Sequence, residues 1–207
     1  MKKNTNLSAK PSDEWLSWIC ASKDVDELRG KYDQWADHYD SQVSQLWERV
    51  PETAALMLAE YIQDKETHLI DVGAGTGLGG VALAAQGFKR ITAIDLSSEM
   101  LNKAREKGVY ESLLCCAIKD ETFSALGQVQ GIIALGVFAE NHAGPDELIA
   151  LQKHLLPQGV IVFTSRRSFL PILASIINQH TWRKLSAKVI PVYDDPIHLL
   201  AYQINSL

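Results

Sequence analysis

Cysteine is sparse in this chain: Cys20, Cys115 and Cys116 are the three among 207 residues. Cys115 and Cys116 are adjacent within an apolar run and lack the paired spacing of a zinc site, so they read as free thiols of a reducing cytosol and no metal is expected. Basic charge is also scarce, with 20 Lys and Arg against 25 Asp and Glu and a formal net charge of −5. A sequence-independent grip on nucleic acid needs Lys and Arg to displace counterions from phosphates, so no nucleic-acid partner is expected. Long apolar runs are missing too. The longest are strand-length pieces such as Ile132 to Leu135, far below the ~18 residues of a membrane span, so a soluble protein with no membrane partner is expected. Lys2 and Lys3 have no apolar stretch behind them, which argues against a secretory signal and for a cytoplasmic location.

What is present is an ordinary globular balance, 46% hydrophobic and 22% charged, enough to bury one sizeable core. Residues 1–12 are polar and aperiodic and read as a disordered tail. Residues 13–63 read as a helical cap. Asp13 can open a helix carrying Trp15, Leu16 and Ile19, and Asp24 can cap the next, with Glu27 three residues later. Trp35, Tyr39, Val43, Leu46 and Trp47 then recur at helical spacing, and Pro51 suits the first turn of a further helix.

From residue 64 to 207 short apolar runs alternate with helical stretches. Strands are expected over 68–72, 90–95, 112–118, 130–137, 160–165, 185–192 and 198–204, with helices over 78–86, 98–107, 145–156 and 169–180. Alternation of this kind implies right-handed crossovers and a doubly wound, mainly parallel α/β sheet of seven strands. The last two strands are joined by Tyr193-Asp194-Asp195-Pro196 alone, too short for a crossover helix, so that final pair must be antiparallel.

In such sheets ligands sit beyond the carboxyl ends of the strands. The first strand runs into Gly73-Ala74-Gly75-Thr76-Gly77, where glycines permit a sharp turn and a close approach of backbone to ligand. Asp95 closes the second strand, placed to accept hydrogen bonds from ribose hydroxyls. An adenosine-containing ligand is therefore expected. Gly75-Thr76-Gly77-Leu78-Gly79-Gly80 also fits the G-x-G-x-x-G of a dinucleotide site. Asp71 weighs against that, because a carboxylate two residues before the loop repels a pyrophosphate and suits a cation. S-adenosylmethionine, with a sulfonium, an ammonium and no phosphate, answers that description.

Residues 69–77 resemble motif I of class I methyltransferases, and Ile94 to Leu101 resemble their second motif. Tyr32 to Asp40, Gly136-Val137-Phe138 and Leu156-Pro157-Gln158-Gly159 resemble the Williams–Beuren syndrome methyltransferase-like group. The resemblance implies a Rossmann-like fold that binds S-adenosyl-L-methionine, Gly73 and Gly75 against the methionyl part with Asp71 nearby, and Asp95 on the ribose. It also implies Leu96 and Met100 flanking the adenine, Ala117 and Ile118 beside it, Leu135 facing the cofactor, and Tyr32 and Tyr39 in a lid. The group often carries an acid after the third strand, where this chain has Ala117-Ile118-Lys119 and its acid, Asp120, comes two positions late. It also carries two histidines after the fourth strand, of which only His142 stands here.

Methyl transfer is an in-line displacement that needs alignment and exclusion of water more than a catalytic triad. His142 is the candidate general base and Glu140 the second candidate. The fourth strand lacks the Asn/Asp-Pro-Pro-aromatic cluster of amino-methylating nucleic-acid enzymes, and there is no inserted recognition domain, so a small-molecule acceptor is expected. An NAD(P)-dependent oxidoreductase and a non-catalytic methyltransferase-like binding subunit stand as alternatives.

Overall fold

The computed structural model describes residues 12–47 and 49–204; the expected disordered tail lies almost wholly outside them. Three helices come first: α1 (Ser12–Cys20), α2 (Val25–Trp47) and α3 (Arg49–Ala59). Asp24 caps α2, its Oδ1 accepting the Glu27 N–H at 2.8 Å, while a Glu27 oxygen accepts the Lys23 N–H at 3.0 Å. Then follow β1 (His68–Val72), α4 (Leu78–Ala85), β2 (Arg90–Asp95), α5 (Ser98–Glu106), β3 (Ser112–Cys115) and α6 (Glu121–Ser124). The chain closes with β4 (Val129–Phe138), α7 (Pro145–Gln152), β5 (Leu155–Arg166), α8 (Leu170–Ile177), β6 (Trp182–Ile190) and β7 (Ile197–Ile204).

The seven strands form one sheet in the order β3-β2-β1-β4-β5-β7-β6. β1 to β5 pair in parallel, while β7 runs antiparallel to both β5 and β6. The strand order reverses between β1 and β4, which makes the carboxyl end of that pair the switch point where a crevice opens. The central strands are apolar on both faces because helices cover both. Ile70, Val72, Ile132, Ala134, Ile161 and Phe163 face a core with Leu148 and Leu151 of α7 and Leu173 and Ile177 of α8. Their alternates Leu69, Ile133, Val160 and Val162 pack on Ala54, Met57 and Leu58 of α3 and Leu83 of α4. A separate cluster of Trp15, Ile19, Leu28, Trp35 and Val43 holds α1 against α2, with Trp15 and Trp35 stacked at 5.4 Å.

Several boundaries differ from expectation, and at three of them the cause is visible. β3 stops at Cys115, because Lys119 turns left-handed (φ 80) and the Asp120 carboxylate accepts the Ala117 N–H at 2.8 Å, folding 116–120 into a turn. That turn leads into α6, too short to show a period. α7 ends at Gln152, and Leu155, expected at the end of that helix, begins β5 by pairing with Val129. Among the described residues no helix is long and apolar enough to cross a membrane.

Candidate functional site

The carboxyl ends of β1, β2 and β4 border a cavity of about 200 Å³ roofed by α2. Its floor is the loop after β1, where Gly73 and Gly75 are both left-handed, φ 63 and 55. A Cβ on Gly73 would stand 2.4 Å from Val137 Cγ2, so a larger residue there would have to displace Val137 and sit strained at positive φ. Asp95, at the tip of β2, is fixed from both sides: Oδ2 accepts the Gly75 N–H at 2.8 Å and Oδ1 the Ser97 N–H at 2.9 Å. Each oxygen keeps a lone pair for a further donor. Burial, with Asp33 nearby, raises its pKa above the usual carboxylate range, while the Ser97, Gly75 and Leu96 amides act the other way. Ile94, Leu96, Met100 and Ile118 form an apolar slot beside it.

Tyr32, Tyr39, Gly73, Gly75, Asp95, Leu96, Met100, Ala117, Ile118, Leu135 and His142 all line this one cavity. Asp71 and Glu140 do not. Glu140 is exposed on the loop after β4. Asp71 is buried under the glycine loop, where Tyr110 Oη donates to its Oδ2 at 2.7 Å and itself accepts the Gly80 N–H at 3.1 Å. It borders a smaller cavity with Tyr39, Gly73, Thr76 and Leu135. Burial pushes its pKa up to about 7, against the hydrogen bond from Tyr110 and with Asp95 adding to the rise. Tyr110 escaped sequence reasoning, since a lone tyrosine between a helix and a strand carries no periodic signal. It also explains the third glycine of the G-x-G-x-x-G pattern: a Cβ on Gly80 would lie 2.2 Å from the Tyr110 ring. That glycine is therefore required by packing alone, whatever the loop binds.

Charge along α2 fastens the roof. Asp33, Asp37 and Asp40 follow at four and three residues and so share one helical face. The Ser97 hydroxyl donates to Asp33 at 2.5 Å, Lys103 pairs with Asp37 at 2.8 Å, and Lys107 pairs with Asp40 at 2.8 Å. Asp40 also accepts the hydroxyl of Thr76, a buried residue of the glycine loop. On the other side Asn141, left-handed at φ 60, donates to the Cys20 carbonyl at 2.8 Å and ties the loop after β4 to α1. Asp40→Ala leaves both Thr76 and Lys107 without this acceptor, a loss of about 1–2 kcal/mol. We expect faster amide hydrogen exchange in α2 with β1 and β4 unchanged; unaltered α2 exchange would mean that the clasp carries no weight.

A second cavity adjoins the first beyond the ends of β4 and β5, lined among others by Trp35, Trp47, Tyr193, Ser165 and Arg166. Tyr32, Tyr39, Gly136 and His142 border both cavities. Trp35 is otherwise a core residue, 2% exposed, whereas Tyr39 packs edge-on against it and still reaches the cavities.

Residues 69–159 match the family described as a methyltransferase domain. The chain is 30% identical over 138 residues to human methyltransferase-like protein 27, an alignment covering 65% of this chain and 56% of that protein. It thus spans little more than half the length of that relative. Over 56 residues it is 36% identical to ribosomal RNA small subunit methyltransferase G of Rickettsia africae, covering 27% of this chain and 29% of that one. The crystal structure of a ribosomal protein L11 methylase from Lactobacillus delbrueckii subsp. bulgaricus superposes with a TM-score of 0.60 at 21% identity. That superposition covers 74% of this chain and 77% of the other. The expectation of a small-molecule acceptor and no nucleic acid is corrected by the sequence relative from Rickettsia africae, whose name gives ribosomal RNA as its acceptor. Net charge cannot decide the acceptor: it is a sum over the whole chain, whereas recognition of a macromolecule depends on the local field of one face.

Proposed function

We propose that this protein, whose residues 69–159 match a methyltransferase domain, is a class I, S-adenosylmethionine-dependent methyltransferase that uses the roofed cavity to transfer a methyl group from that donor to an acceptor group carried by RNA or protein. The observation that carries the reading is the cavity's chemistry. Among its described lining residues there is no Lys or Arg, while Asp95 supplies a carboxylate and Glu147 a second one that is paired with Lys119. A pyrophosphate would meet the Asp95 carboxylate and no cationic side chain among these residues, so the lining favours a cationic ligand over a dinucleotide. A cationic donor with an uncharged adenosine fits: the glycine floor admits a close backbone approach, Asp95 can accept from ribose hydroxyls, and the slot of Leu96, Met100 and Ile118 suits a purine face.

S-adenosylmethionine supplies a methyl group on a sulfonium already activated for displacement. What remains for the protein is to hold the reactants in line, exclude water and manage one proton. Tyr32 and Tyr39 roof the site, and the acidic row of α2 keeps that roof in place. His142 stands at the junction of the two cavities, a suitable place for a base, whereas Glu140 is exposed and lines neither.

The test uses donor with a tritiated methyl group, incubated with the protein and separately with total RNA and with ribosomal and other protein fractions. We expect acid-precipitable label that is released by ribonuclease in one case or by protease in the other. Label found in neither fraction, with no S-adenosylhomocysteine formed, would overturn the reading.

A further inference from the structure

Tyr32 and His142 are 110 residues apart in sequence, yet the phenol oxygen lies 3.2 Å from His142 Nε2. The other ring nitrogen, Nδ1, is 3.1 Å from the main-chain carbonyl of Glu140. A carbonyl can only accept, so Nδ1 carries the proton and Nε2 presents its lone pair. The phenol is then the donor, and the tautomer is set by backbone. Both side chains lie in the wall common to the two cavities, one side facing the adenosine slot and the other the space beside Trp47, Tyr193 and Arg166.

We propose that the acceptor reaches the site through this second cavity and that Tyr32 and His142 form a proton relay for it, which restricts the acceptor to a neutral N–H, O–H or S–H nucleophile. This rests on the methyltransferase reading above. In the step, the acceptor's lone pair forms the new bond to the methyl carbon while the carbon–sulfur bond breaks, its electron pair staying on sulfur. The acceptor's proton passes to the Tyr32 oxygen as the phenol's own proton passes to His142 Nε2. The sulfonium charge disappears and an imidazolium charge appears, so charge and atoms balance. A carboxylate or thioether acceptor has no proton to lose and would leave the pair idle.

The surroundings suit a relay of this kind. Burial holds the His142 pKa below its usual value, the Glu140 carbonyl opposing and the Arg166 charge adding, so the ring rests neutral. Burial, then Tyr39 and Asp95, with Cys20 and Tyr193 adding, raise the Tyr32 pKa well above that of a free phenol. Tyr32 therefore does not wait as a phenolate; it gives up one proton only as it gains another.

The experiment compares wild type, Tyr32→Phe and His142→Gln in tritiated methyl transfer to whichever macromolecular fraction the wild type labels. Rates are taken across the imidazole titration range, and S-adenosylhomocysteine affinity is measured by calorimetry. We expect Tyr32→Phe to slow transfer about 100-fold, within the range for general base catalysis, with affinity changed less than about 3-fold. The acidic limb of the wild-type profile should vanish in His142→Gln. Wild-type transfer that survives Tyr32→Phe overturns the relay alone. A wild type that transfers nothing overturns the methyltransferase reading and the relay with it. Nitrogen-15 histidine spectra give an independent check: an Nε2-protonated ring at His142 would also overturn the relay.

Discussion

Asp95→Asn is expected to weaken S-adenosylhomocysteine binding about 100-fold, close to ~2.7 kcal/mol. The size follows from how the carboxylate is used. Both oxygens already accept a backbone N–H, from Gly75 at 2.8 Å and Ser97 at 2.9 Å. An amide can present one oxygen, so its NH₂ must face one of those N–H groups, donor against donor. The variant thus loses an acceptor for ribose and loosens the glycine loop at once. Hydrogen bonds to a charged acceptor contribute ~1.5–3 kcal/mol each, so both losses are large beside a surface change. The core contacts of β2 are untouched, and cooperative thermal unfolding should persist within a few degrees of wild type. Calorimetric titration with S-adenosylhomocysteine, with NAD run beside it, decides the matter. Unchanged affinity would sink the ribose role of Asp95, and tight NAD binding by wild type would sink the cofactor assignment.

The second large effect concerns stability and pH, through Asp71. Its pKa in the fold is pushed up to about 7 by burial, against ~3.9 for a free aspartate. Between those values the folded state binds more protons than the unfolded chain, so stability falls as pH rises through this window. The contribution is fully present below the unfolded pKa and gone above the folded one. Over the step from pH 5 to pH 8 it amounts to a loss on the order of 2 kcal/mol. Asp71→Asn removes that titration while keeping an oxygen to accept the Tyr110 hydroxyl, so the variant's stability curve should be flatter by this amount. Urea denaturation at the two pH values, read as the difference between the two proteins, isolates Asp71 from every other titrating group. Parallel curves would show that Asp71 stays charged within the fold.

Most of the sheet was legible because its physics is local. The runs His-Leu-Ile-Asp-Val and Arg-Ile-Thr-Ala-Ile-Asp are strand-length and apolar between turn residues, and their two-sided burial is what helices on both faces require. The short Tyr193 to Pro196 link dictates an antiparallel end, and β6 and β7 pair that way. Boundaries were less legible wherever a side chain set them. Asp120 ends β3 by closing a turn with the Ala117 amide, a contact that no periodicity announces. Residues of the site that sit on the glycine loop and strand tips could be named in advance, since topology places every strand tip at one edge. Tyr110 and Asn141 could not, because their partners, Asp71 and the Cys20 carbonyl, are 39 and 121 residues away.

The sequence alone determined the alternation of strands and helices, the glycine loop with its sharp turn, and the acid at the end of β2, all governed by spacing and backbone sterics. Tertiary structure decided where each acid points and which distant groups meet. It turned Asp71 beneath the loop onto Tyr110, set the row of α2 aspartates on Ser97, Lys103 and Lys107, and brought Tyr32 within 3.2 Å of His142. The reason is physical: a period or a turn is fixed by neighbours in the chain, whereas burial, protonation and a hydrogen bond across 110 residues depend on how helices pack onto the sheet.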